Sequence, residues 1–166
     1  EELARTRILN ARGLGDLLAQ MQAATEDMGS VDEAVYDAAM RKYSNAEARF
    51  NALGGYAAEA EAAAIASNLG LKEQVLSQPL KTLSGGQRRR IELARILFSD
   101  AQTMILDEPT NHLDADSVVW LRDFLKGYQG GLIVISHDVD LIGETVNRVF
   151  YLDAMRGVID VYNMGW

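Results

Sequence analysis

Two short apolar runs, Thr103-Met104-Ile105-Leu106 and Leu132-Ile133-Val134-Ile135, constrain this chain more than any other feature, because the first ends in Asp107-Glu108 and the second in Ser136-His137-Asp138. Neither run alternates apolar with polar residues, the pattern expected of strands covered on both faces. Between them, Ala115 to Lys126 reads as a helix. A strand, helix, strand unit follows, with parallel pairing and a right-handed crossover as its default. A short helix from Asp138 to about Val146 comes next. Arg148 to Leu152 and Val158 to Tyr162 then form a closing hairpin around Arg156-Gly157. The second half of the chain is therefore part of an α/β layer.

Upstream the pattern is different. Residues 3 to about 78 are rich in Ala, Glu, Gln and Leu and read as almost wholly helical. Leu14, Leu17, Leu18, Met21 and Met28 recur at helical spacing after the Gly13-Leu14-Gly15 break. Asp32 is placed to cap a helix running to about Leu53, whose expected packed face is Val35, Ala38, Ala39, Ala46, Phe50 and Leu53. Gly54-Gly55 stops it, a further helix covers Ala57 to Asn68 and closes at Gly70, and Gln78-Pro79 marks an extended stretch.

That stretch leads into Leu83-Ser84-Gly85-Gly86-Gln87. Ser84 followed three residues later by Gln87 fits a capping box, so a helix starts at about Gly85. Ile91, Leu93, Ala94, Ile96, Leu97 and Phe98 give it an apolar stripe, with Arg88, Arg89 and Arg90 largely outside. A helix start without side chains on its first two residues is a ready anion site, and phosphate is the usual anion. Taken alone, the stretch reads more readily as an ordinary glycine-rich cap, since capping boxes are common.

Ligands of open α/β sheets bind beyond the carboxyl ends of the strands. Two acids ending one buried strand and a histidine ending another are costly to keep beside a core unless an ion or substrate compensates them. Asp107 is placed to hold a magnesium ion, which takes oxygen ligands and keeps much of its water. Glu108 projects differently and suits a general base that orients a water. His137 suits a hydrogen bond to a transferred group. Asp114 and Asp138 are also well placed as helix caps.

The 166 residues suffice for one domain or two small subdomains. A net charge of -8 argues against a dedicated nucleic-acid clamp. Cysteine is absent, which excludes disulfides and thiolate metal sites and is compatible with a cytoplasmic location. No apolar run reaches the roughly 20 residues that span a bilayer, so no membrane insertion is expected.

Four segments, in this order and at this spacing, closely resemble the signature, Walker B, D-loop and H-switch of ATP-binding-cassette ATPases. They are Leu83-Ser84-Gly85-Gly86-Gln87, Met104-Ile105-Leu106-Asp107-Glu108-Pro109, Thr110-Asn111-His112-Leu113-Asp114 and Ser136-His137-Asp138. The wording from Asp107 to Asp114 resembles the ABC-F family, whose members are soluble and carry two cassettes in one chain. The ending Val161-Tyr162-Asn163-Met164-Gly165-Trp166 is similar to the Tyr-rich segment that leaves the first ABC-F cassette. The resemblance implies an ATPase using ATP and Mg2+. Ser84, Gly85, Gly86 and Gln87 would close in trans on the γ-phosphate of ATP held by a second cassette. Asp107 would serve the Mg2+ ion, Glu108 would be the catalytic carboxylate, His137 the switch, and Asp114 would communicate across the dimer. It further implies the ribosome as partner, in translation regulation or antibiotic resistance.

The chain departs from the cassette pattern: it contains no G-x-x-x-x-G-K-[S/T] phosphate loop, Lys81-Thr82 lacks the preceding glycines, and no convincing Q-loop or adenine-stacking aromatic lies upstream. The expectation is an α/β chain in two parts: a helical subdomain over residues 1–82 and the C-terminal part of a cassette core over residues 83–166, with the Walker A part missing. Such a piece should be inactive alone, with open sheet edges inviting dimerisation. Two other readings are an ATP-binding subunit of a membrane transporter, where Ser-Ala-Leu-Asp is commoner than Asn111-His112-Leu113-Asp114, and a non-catalytic interaction module. Chromosome-maintenance ATPases share a similar signature but would bring long coiled-coil heptads.

Overall fold

The computed structural model describes residues 2–163, so the end of the Tyr-rich segment, Met164-Gly165-Trp166, lies outside the described residues. The chain divides into two compact units, Glu1–Ala101 and Gln102–Trp166.

Six helices build the first unit: α1 (Ala4–Leu9), α2 (Leu14–Asp27), α3 (Glu33–Ala52), α4 (Gly55–Asn68), α5 (Glu73–Leu76) and α6 (Gly85–Phe98), with 3-10 turns at Asn10–Arg12 and Leu80–Thr82. Asp32 caps α3 as expected, its carboxylate accepting from the N–H groups of Ala34 and Val35. The turn into α4 depends on glycine twice. Gly54 sits at φ 74°, and a Cβ on Gly55 would lie 2.2 Å from the Phe50 ring. The N-terminus is tied to the stretch before α6: Leu3 bridges Pro79, Ala4 N–H donates to the Gln78 carbonyl at 3.0 Å, and Leu80 N–H donates to the Glu2 carbonyl at 3.0 Å.

α2 and α3 pair as a hairpin, and α6 packs on α1 and α4. Ile8, Leu9, Leu14, Phe50, Leu69, Ile91 and Phe98 are fully buried. On α3 the buried positions are Ala39, Ala46 and Phe50, whereas Val35 and Leu53, expected on the packed face, are exposed. Val35 lies in the first turn of α3, and Leu53 is its C-cap. The helical unit includes α6, which packs on α1 and α4 and buries Ile91, Ala94, Leu97 and Phe98.

In the second unit, β1 (Thr103–Asp107) and β2 (Gly131–Ile135) pair in parallel, from Thr103 opposite Gly131 to Asp107 opposite Ile135. α7 (Ala115–Gly127) connects them and packs on α8 (Val139–Thr145). Arg122 and Lys126 of α7 lie against Asp140 and Glu144 of α8, the Lys126–Glu144 pair at 2.6 Å. That lysine holds Glu144 below the usual carboxylate range, and Glu144 in turn raises Lys126. β3 (Arg148–Asp153) and β4 (Val158–Asn163) form the expected antiparallel hairpin as a separate two-stranded sheet.

The expectation of strands covered on both faces is corrected. Met104 and Leu106 are buried, but Ile105, Ile133 and Ile135 are 66%, 55% and 58% exposed. An apolar run demands cover on both sides and does not say which segment supplies it. Among the described residues one face of the parallel pair stays open. No helix among them is long and apolar enough to cross a membrane.

Candidate functional site

The Ser84–Gln87 turn belongs to the helical unit and is built as the sequence predicts. Ser84 Oγ accepts from Gln87 N–H at 3.2 Å, and Ser84 N–H donates to Gln87 Oε1 at 2.9 Å, completing the capping box. The N–H of Arg88 donates to the Ser84 carbonyl at 2.9 Å. The first-turn N–H groups of Gly85 and Gly86 therefore have no intrahelical acceptor. A Cβ placed on either glycine would meet nothing within 4 Å. Alanine would fit both positions and hold a helix better by up to about 1 kcal/mol in an interior position, so packing within the chain does not explain the glycines.

The helix behind this turn is held firmly. Arg90 donates to the carbonyls of Leu69 and Gly70 at 3.4 and 3.2 Å. Glu92 accepts from Arg7 and Arg95, each at 2.7 Å. Burial alone would raise the Glu92 carboxyl, but the two guanidinium groups outweigh it and hold the group below the usual range.

In the α/β unit, the parallel strands bring Asp107, Glu108 and His137 to one sheet end. Asp107 is the last residue of β1, exposed on the same face as Ile105. Glu108 is next and has φ 45°, a left-handed backbone uncommon for a residue with a side chain. Its conformation is pinned on both sides: its N–H donates to the Ile135 carbonyl at 2.8 Å, and its own carbonyl accepts from Asn111 at 3.1 Å. Sustaining such a backbone costs on the order of 1 to 3 kcal/mol and requires surroundings that fix it. The result is a carboxylate 25% exposed, with Oε1 3.4 Å from Nε2 of a His137 side chain that is 98% exposed.

The helix caps expected from the sequence are present. Asp114 accepts from Ser117 N–H at 2.9 Å at the start of α7, and Asp138 accepts from Leu141 N–H at 2.9 Å at the start of α8. Asp138 N–H donates to Ser136 Oγ at 3.0 Å, which orders the backbone on either side of His137. Ser84 to Gln87 are thus in one unit, and Asp107, Glu108, Asp114 and His137 in the other.

The fit to a magnesium ion rests on Asp107. Among the described residues no group of three or more acidic or histidine side chains is gathered around a metal position. Asp107 offers one exposed carboxylate, and Mg2+ ordinarily takes one or two carboxylates together with waters and phosphate oxygens. Asp107 suits that share. Two features of the site were not legible in the residue pattern: the Ile135 carbonyl that fixes Glu108, and the guanidinium anchors of α6. The first is a backbone group identified only by strand register. The second are arginines indistinguishable in sequence from surface charge.

The ABC transporter family matches residues 6–111 of this chain. ABC transporter F family member 4 of Arabidopsis thaliana is 34% identical over 152 residues, covering 89% of this chain and 21% of the relative. YdiF of Bacillus subtilis, named as an ATP-binding protein, is 36% identical over 121 residues, covering 73% of this chain and 19% of the relative. The chain thus spans about a fifth of the length of these relatives. In three dimensions it is similar to the dimeric bacterial ABC transporter cassette MJ0796, with a TM-score of 0.54 at 23% identity over 65% of this chain and 47% of that one. A post-hydrolysis dimer of MJ0796 bound to ADP and Pi gives 0.53 at 24% identity. These structures share its fold. The chain belongs to the ABC transporter family of ATP-binding cassettes and is of the ABC-F type.

Proposed function

We propose that this chain works within an ATP-hydrolysing ABC-F protein of the cytoplasm, supplying the carboxylate end of one nucleotide site and the signature turn of another. The observation that carries this reading is the Glu108–His137 pair: a glutamate held in a left-handed backbone at one strand end, 3.4 Å from a histidine at the end of the adjacent strand.

In the reaction, Glu108 accepts a hydrogen bond from the attacking water and takes its proton as the water oxygen bonds to the γ-phosphorus and the bond from that phosphorus to the bridging oxygen breaks, releasing ADP and phosphate. His137 donates a hydrogen bond to the transferred phosphoryl group, stabilising charge that spreads over its oxygens. Asp107 provides one oxygen ligand to Mg2+, and the ion, when bound, neutralises phosphate charge. The N–H groups of Gly85 and Gly86, at the positive end of the α6 dipole, donate to the γ-phosphate of ATP held by a second cassette. The missing side chains allow backbone and phosphate to approach. Asp114, which caps α7, sits where the D-loop of one cassette meets its partner and links the two sites. The chain's own piece of core, without a phosphate loop, does not turn over ATP alone. The family relation directs the cycle at the ribosome, in translation regulation or antibiotic resistance.

The test is Glu108→Gln in the full-length protein. ATP binding should persist while turnover falls by about 100-fold or more, the usual weight of a general base. The ATP-bound variant should co-sediment with ribosomes. Turnover at the wild-type rate would remove Glu108 from this role, and absence from the ribosomal pellet would remove the proposed partner.

A further inference from the structure

We propose that Arg12 is a positioning residue for the Ser84–Gln87 turn, acting from the opposite end of α6. The proposal rests on the reading of that turn as a phosphate-facing element. Arg12 closes the 3-10 turn after α1, and its guanidinium meets everything at the C-terminal end of α6. Nε donates to the carbonyl of Phe98, the last residue of the helix, at 2.6 Å. Nη1 and Nη2 each donate to Glu61 of α4 at 2.8 Å, a two-pronged grip. Nη2 lies 3.0 Å from Asp100 Oδ1, and Nε 2.8 Å from Asp100 Oδ2. The guanidinium carbon stands 3.8 Å over the Phe98 ring.

No other side chain type meets these demands together. The planar fork matches a carboxylate with two parallel bonds, stacks on an aromatic face and keeps a further donor for the carbonyl, whereas a lysine ammonium is a point charge. A cation at the carbonyl end of a helix is also favoured by the helix dipole. Asp100 has φ 53°, so the chain leaving α6 turns sharply at the residue Arg12 grips.

This grip matters mechanically. α6 has 14 residues and behaves as a rod of about 21 Å. Its buried residues, Ile91, Ala94, Leu97 and Phe98, resist separation from the unit, but apolar contacts are non-directional and do little to fix tilt. The directional anchors are Arg90 to the carbonyls of Leu69 and Gly70 and Glu92 to Arg7 along the helix, and Arg12 at its Phe98 end. A tilt of about 5° at the Phe98 end displaces the Ser84 end by about 2 Å, and a misplacement of about 1 Å can cost about 100-fold in rate. Arg12 completes the set of anchors that fixes the angle at which the glycine turn is presented.

The experiment compares Arg12→Met, Arg12→Lys and Arg5→Met in the full-length protein, reading kcat and KM for Mg-ATP. Arg5 serves as control because its ion pair with Glu59, at 3.7 Å, does not involve α6. Arg12→Met should lower kcat about tenfold or more and leave KM within about twofold, the split expected when an interaction of the transition state is lost and ground-state binding is kept. Arg12→Lys should rescue less than about half of that loss, because a point charge cannot reproduce the fork. Wild-type kcat in Arg12→Met, or an equal loss in Arg5→Met, overturns the proposal. If Arg12→Met does not fold, Glu61→Gln decides. It keeps the Phe98 carbonyl bond, and a drop of about threefold in kcat is expected, whereas an unchanged kcat overturns the proposal. Wild-type protein without any ATP turnover removes the functional reading and this proposal together. Turnover that is present but indifferent to Arg12 and Glu61 removes the proposal alone.

Discussion

The helical unit and the α/β unit differ in what they bury. Seven of the nine largest fully buried side chains, from Ile8 to Phe98, belong to the helical unit, while the α/β unit contributes Leu121 and Leu141. The α/β unit in turn exposes Ile105, Ile133 and Ile135 on its parallel strands and Phe150, Leu152, Ile159 and Val161 on its hairpin. In the hairpin register Phe150 stands opposite Val161 and Leu152 opposite Ile159, so these four share one face. Helices satisfy their backbone within themselves and need only one stripe covered, so a few of them close a core. Strands need partners on both edges and cover on both faces when their residues are apolar throughout. The same stretch of chain that carries the acids and the histidine therefore depends most on surroundings.

Phe50→Ala gives the largest contrast. Phe50 is fully buried, edge-on to Tyr56 at 5.5 Å, with the Gly55 backbone against its ring. Its removal should cost about 3 to 5 kcal/mol, while Ile133→Ala, at an open position, should cost within about 0.5 kcal/mol. Urea unfolding followed by the helical circular-dichroism signal measures the first, and the β-sensitive signal the second. Equal costs would break the comparison, because they would mean that the open face is covered.

A smaller effect concerns the capping box. Ser84→Ala removes the acceptor for Gln87 N–H and should destabilise the helical unit by about 1 kcal/mol. Gly85→Ala, with free space around its Cβ, should leave stability unchanged or slightly raised by up to about 1 kcal/mol. Both are read from denaturation midpoints. A clear loss in Gly85→Ala would give that glycine a structural purpose and weaken its reading as a close-approach position.

The smallest expected effect is electrostatic. Glu92, flanked by Arg7 and Arg95, has a carboxyl lowered from its ordinary value of 4.5. A lowered carboxyl stabilises the fold above its unfolded-state value, and the contribution is lost as pH falls through the folded-state value. The side chain is 39% exposed, so solvent screening keeps the contribution under about 1 kcal/mol. Wild type should exceed Glu92→Gln in melting temperature at neutral pH, and the gap should close as pH falls below the ordinary value of 4.5 and through the lowered folded-state value. A gap that widened in acid would contradict the sign.

Most of the element pattern was legible in the sequence because its determinants are local. Asp32, Ser84, Asp114 and Asp138 are caps whose N–H donors lie two or three residues away. The parallel pairing of β1 and β2 followed from two apolar runs joined by a helix. Of the candidate site, the acids and the histidine were found by their position at strand ends. What escaped was non-local. Val35 and Leu53 share the hydrophobicity of Ala39 and Phe50 yet remain exposed, because cover comes from elements distant in the sequence. The compact helical unit includes α6, which packs on α1 and α4.

The sequence by itself determined where helices begin and strands end, and with that the chemistry placed at each end, since caps, glycines and apolar runs act over a few residues. Only the tertiary structure decided that Glu108 takes a left-handed backbone, because the Ile135 carbonyl that receives its N–H lies on another strand. It likewise decided that Arg12 meets Phe98, Glu61 and Asp100, groups 49 to 88 residues distant along the chain. Contacts of that separation arise from the packing of whole elements, and no local rule encodes them.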